Sequence, residues 1–139
     1  MPRQHHSVFG ITAALLCAAV CLPVLAQPLT PSTTNGIMFM SGGVGDESMA
    51  ALQAHESAFD LKLFLVGQSG SYLSDIRVSI TDQSGKGLLL TTSEGPLLLA
   101  NLPTGAYIVK AQKNGQTLEQ KINVTRGKLT TSYFRFPGE

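Results

Sequence analysis

The chain has no tryptophan, and its only two cysteines, Cys17 and Cys21, lie near its start. After His5 and His6 the sole histidine is His55. These shortages remove whole classes of chemistry. A zinc centre wants at least three protein ligands, usually Cys, His or carboxylate. His55 with Glu56 and nearby Asp60 is the one thin candidate, and it has no ligand spacing. A Ser-His-Asp arrangement has only His55 as base, with nothing placing a serine beside it. Charge of one sign is lacking as well. From Gln27 onward nine Lys/Arg face nine Asp/Glu, scattered along the chain. No basic run marks a nucleic-acid footprint, so the charges read as an ordinary solvated surface.

What is present begins with an export pattern. Arg3 sits in a short polar start, an apolar run follows from Val8 to Leu25, and Val24-Leu25-Ala26 closes it with a small residue before Gln27. That tripartite pattern predicts a secretory signal peptide over residues 1–26. Pro23 and the shortness of the run argue against a membrane anchor, which wants roughly 20 apolar residues. A lipoprotein would need a small residue before Cys17 or Cys21, where Leu16 and Val20 stand instead. Cleavage after Ala26 would leave 113 residues, enough for one domain with a single core. It would also remove both cysteines, leaving no disulfide and no thiol nucleophile, although export permits disulfides.

Residues 27–36, rich in Pro, Ser and Thr, read as a flexible or extended leader. Residues 37–59 read as a short strand plus a helical extension. Ile37-Met38-Phe39-Met40 is the strand, broken by Ser41-Gly42-Gly43-Val44-Gly45. The helix runs from Asp46 to Phe59, with Asp46 and Glu47 at its dipole-favoured start. Met49, Leu52, Glu56 and Phe59 recur at helical spacing, a mostly apolar stripe that should lie on a sheet.

From residue 60 to 137 the period is two, and a β-sandwich domain is predicted. In Asp75 to Thr81, Ile76, Val78 and Ile80 face one way and Arg77 and Ser79 the other. Leu61, Leu63 and Leu65 alternate similarly. Leu88-Leu89-Leu90 and Leu97-Leu98-Leu99 are short apolar runs set between turns. Ala106 to Gln112 should pair with Thr117 to Val124 across Asn114-Gly115, the strongest short hairpin signal. A last strand spans Leu129 to Phe136. Seven strands after the helix, with a turn about every ten residues, are the signature of a sandwich.

Three stretches then carry a family resemblance: Asp75-Ile76-Arg77-Val78, Asp82-Gln83-Ser84-Gly85-Lys86, and Leu102-Pro103-Thr104-Gly105-Ala106-Tyr107-Ile108-Val109. This strand, D-x-x-G turn and L-P-x-G-x-Y-x-V pattern resembles the carboxypeptidase regulatory-like domain over Leu61 to Phe136. The resemblance implies a seven-stranded antiparallel, transthyretin-like sandwich, with the helix outside the family core. It implies a fold rather than a job, since sandwiches host many unrelated functions. Pro103, Gly105 and Tyr107 are explained as turn residues. Pro103 fixes φ, Gly105 gives backbone freedom, and the Tyr107 hydroxyl bonds back to the turn like a tyrosine corner.

The resemblance also raises an enzyme. The transthyretin-like 5-hydroxyisourate hydrolases end in Tyr-Arg-Gly-Ser and use paired histidines. Here the end reads Tyr133-Phe134-Arg135-Phe136, and His55 stands alone, so the converging acid–base groups are missing. Ser41 to Asp46 before a helix suggests phosphate binding, but it lacks the P-loop lysine, and Asp46 and Glu47 would repel phosphate. No catalytic, cofactor-binding or metal residue is assigned. Met38, Phe39 and Met40 form the candidate interaction surface: on an exposed strand edge they would accept a partner strand. The alternative, that they pack under the helix or complete the sheet, is favoured by their hydrophobicity.

The expectation is therefore an exported, non-enzymatic module that is periplasmic (in a Gram-negative cell) or secreted. It needs no cofactor, has no membrane span after cleavage, and binds a protein or envelope component. The competing class is a small periplasmic hydrolase of the same fold.

Overall fold

The computed structural model describes residues 29–139, and the predicted signal peptide lies outside them. The order of elements is β1 (Ser32–Thr34), β2 (Ile37–Gly42), α1 (Asp46–His55), a single 3-10 turn (Glu56–Ala58), then β3 (Leu61–Gly67), β4 (Ile76–Asp82), β5 (Gly87–Ser93), β6 (Leu97–Ala100), β7 (Gly105–Lys113), β8 (Gln116–Val124) and β9 (Thr130–Phe136). The chain is mainly β, and its strands form two sheets in a sandwich-like arrangement. One sheet, A, has the order β1-β2-β6-β3-β9 and the other, B, the order β5-β4-β7-β8.

Among the described residues there are nine strands rather than seven. Seven follow the helix, and two precede it and extend sheet A. The additional strand, β1, falls inside the segment read as a flexible leader. Asn35 and Gly36, both at positive φ (51° and 76°), turn it back onto β2, as a two-residue hairpin requires. Nor is the arrangement wholly antiparallel. β9 runs parallel to β3, from Leu61 opposite Thr130 to Gly67 opposite Phe136.

Alternation decides which side chains enter the core. Leu61, Leu63 and Leu65 of β3 meet Ile76, Val78 and Ile80 of β4 between the sheets, all fully buried. Tyr107, Val109 and Ala111 of β7 and Phe134 and Phe136 of β9 join that core, with Leu98 and Ala100 of β6 and Ile122 and Val124 of β8 among its other members. The outer face of sheet A holds a second, smaller core. There Leu52 of α1 and Phe59 pack on Met40, Leu97 and Leu99, with Met49 and Leu29 at the margin. The helix stops at His55 rather than Phe59: Glu56 opens the 3-10 turn and Phe59 is already extended. Of the predicted stripe, Met49 and Leu52 therefore lie on the sheet from the helix, Phe59 from the segment after it, and Glu56 pairs with Lys62.

α1 has no side-chain cap at Gly45. The approaching loop is held instead by the Gly43 amide, which donates to Ser48 Oγ at 2.9 Å. The loop packs closely: a β-carbon on Gly95 would collide with the backbone of Gly42, so these two segments touch main chain to main chain.

Candidate functional site

The Leu102–Tyr107 stretch is a turn locked by its own tyrosine. β7 begins at Gly105, Tyr107 points into the core, and its hydroxyl donates to the Pro103 carbonyl at 2.5 Å. Burial pushes the Tyr107 phenol upward from its ordinary value, and the charge of Asp82 pushes it the same way. Gly105 is not at positive φ, so its freedom is not what the turn uses.

The neighbouring D-x-x-G turn is organised by one carboxylate. Asp82 Oδ1 accepts from the Ser84 hydroxyl (2.6 Å), the Ser84 amide (2.9 Å) and the Lys86 amide (2.9 Å). These donors, the Ser84 hydroxyl foremost, hold the Asp82 carboxyl below the usual carboxylate range. Three donors on one oxygen close the β4–β5 turn.

The groups named as an acid–base or metal candidate are separated by what each one bonds. His55 Nδ1 bonds the Ala51 carbonyl at 2.8 Å within its own helix. Glu56 pairs with Lys62. Asp60 is buried, and its Oδ1 accepts the Gly127 amide at 2.9 Å, tying the start of β3 to the β8–β9 turn. Among the described residues no three His, Cys, Asp or Glu side chains gather where they could hold a metal ion. Tyr133 stacks on Phe64 with centroids 4.9 Å apart, and Arg135 Nη1 donates to the Gln68 carbonyl at 3.1 Å. Neither joins His55 in a cleft.

Met38, Phe39 and Met40 lie in the interior of sheet A. Phe39 pairs with Ser32 of β1 on one side and with Ala100 of β6 on the other. Met40 is buried under α1, Phe39 packs on the main core, and Met38 packs on the smaller one. β2 therefore has no free edge over Met38 and Phe39.

A groove of about 470 Å³ opens beside this strand. One wall is the inner side of β1 and β2, with Ser32, Phe39 and Ser41; the other is β5, with Thr91 and Thr92, and Glu94 at its end. Glu94 is the one charged residue in that lining, and its amide donates to Ser41 Oγ at 3.2 Å where the walls meet. Sequence reading missed this groove. It is made by two edges far apart in the chain, so no local pattern marks it.

No family model matches the chain. No curated protein matches it significantly either. Among the described residues no helix is long and apolar enough to cross a membrane.

Proposed function

We propose that this chain is an exported, non-enzymatic β-sandwich module, a periplasmic binding or accessory protein of the carboxypeptidase regulatory-like, transthyretin-like kind. One observation supports the reading most. The groove is walled by strand edges, hydroxyls and apolar side chains, while His55, Glu56 and Asp60 are each spent on separate structural bonds. Catalysis by acid and base needs such groups within reach of one proton; binding needs a concave surface with a few polar groups. The L-P-x-G-x-Y-x-V resemblance supports the fold type, and the Val8–Ala26 pattern supports export.

The test has two arms. N-terminal sequencing of the protein from a periplasmic fraction should begin at Gln27; recovery from membranes with residues 1–26 attached overturns the export reading. Small ester, amide and cyclic-amide substrates should be turned over no faster than in buffer. Turnover abolished by His55→Ala or Arg135→Ala overturns the non-enzymatic reading.

A further inference from the structure

Sheet A has five strands and sheet B four. On one side of the sandwich β9 lies against β8, tied by Gln120 Nε2 donating to the Tyr133 carbonyl at 2.7 Å. On the other side β2 lies against β5. Among the described residues β1 therefore overhangs, with no strand of sheet B beneath it. Among the described residues the groove is that open position: its roof is the inner face of β1 and β2, its side is the edge of β5, and Leu29 and Thr30, where the described residues begin, flank it.

β5 is also a lightly guarded edge, protected by a β-bulge at Leu88 where the register with Ile80 and Thr81 shifts. Natural edge strands carry charges or proline, or are very short. β8 has Glu119 and Lys121, β9 has Arg135, and β1 has only three residues. β5, Gly87-Leu88-Leu89-Leu90-Thr91-Thr92-Ser93, has seven residues with neither charge nor proline, and Leu90 stands 57% exposed.

From these features we infer that an extended polypeptide segment of a partner docks as a fifth strand of sheet B, hydrogen-bonding the β5 edge beneath β1. The inference rests on reading the domain as a binding module. Backbone bonds to an open sheet edge supply affinity, and alternate side chains supply selectivity. The inward side chains of the guest meet Ser32, Phe39 and Ser41, so they are small, β-branched or hydroxylated. An antiparallel guest starts beside Glu94, so a basic residue at its N-terminal end is favoured.

A second copy is a poor occupant on geometric grounds. Antiparallel pairing of β5 with its own copy has a two-fold axis normal to the sheet, which puts both β1–β2 hairpins on the same face. With strands about 4.8 Å apart, the copy's hairpin would fall on the space that β1 and β2 already fill.

The test uses the full chain and a blocked peptide, Lys-Thr-Val-Thr-Val-Thr-Val, with amide exchange as the readout and mass spectrometry to follow the peptide. The peptide should slow exchange of the edge-facing amides between Leu88 and Thr92. The same peptide with alternate backbone nitrogens methylated should not. Thr91→Lys, which plants a charge in the vacancy, should weaken binding at least about tenfold. Ser32→Arg on the opposite wall should weaken it similarly, and because Ser32 is exposed on the three-residue β1 it leaves the core untouched. Glu94→Gln should weaken it a few-fold. Unchanged β5 exchange with an intact peptide overturns strand docking alone. β5 amides already protected before peptide is added, or a dimer that Thr91→Lys dissociates, also overturn it, because the position is then filled otherwise. Cleavage of the peptide overturns the binding-module reading itself.

Discussion

Asp82 and Tyr107 sit directly opposite each other where β4 ends and β7 begins. The two turns that carry the family-like motif are thus joined through one cross-strand pair. Asp82 gathers the donors of its turn, Tyr107 closes the other turn through Pro103, and the negative charge of the first raises the phenol of the second.

Tyr107→Phe keeps the ring in the core and removes the bond to Pro103. Stability at neutral pH should fall by about 1 kcal/mol, the ordinary net worth of such a bond, in urea unfolding. The phenol is raised in the folded protein, so its stabilising contribution is complete below about pH 10 and is lost as pH climbs through the folded value. Wild type should therefore lose stability in that alkaline window by an increment that the Phe variant lacks. Equal alkaline loss in both would show that Tyr107 is not responsible.

Asp82→Asn tests the other turn. The carboxyl is lowered in the folded state, so its contribution is present above about pH 4 and disappears as pH falls through the folded value. The variant should melt below wild type at neutral pH, and the gap should close in acid. A gap that persists at pH 2 would mean the effect is shape rather than charge.

Two glycines of ordinary backbone conformation make a paired test of packing. Gly95→Ala forces a methyl onto the Gly42 main chain and should destabilise by about 1–3 kcal/mol. Gly87→Ala meets nothing within 4 Å and should stay within about 0.5 kcal/mol of wild type. Thermal melts of the two variants side by side give the answer; similar losses would contradict the close approach of the two loops.

Local patterns were readable from the sequence where they act locally. The alternation of Ile76, Val78 and Ile80, the stripe of Leu52 and Phe59, and the Tyr107 turn all reflect periods or contacts within a few residues. Asn114-Gly115 was read as a hairpin, and both residues do take positive φ, 49° and 77°. Asn35-Gly36 has the same dipeptide and nearly the same angles, but nothing around it signals β1. Pro28, Pro31 and the Ser/Thr run gave that stretch the composition of a linker, and a three-residue strand is too short to show alternation. The parallel β3–β9 pair and the vacant position beside β5 depend on the order of strands across each sheet, which no local period encodes.

That parallel pair has a consequence for how the chain acquires its structure. β3 keeps one open edge until β9, the last strand described, arrives. Contacts so distant in sequence are entropically costly to close and slow folding. No amino-terminal portion of the polypeptide can complete sheet A. Closure of sheet A is therefore a late step that waits for Thr130–Phe136.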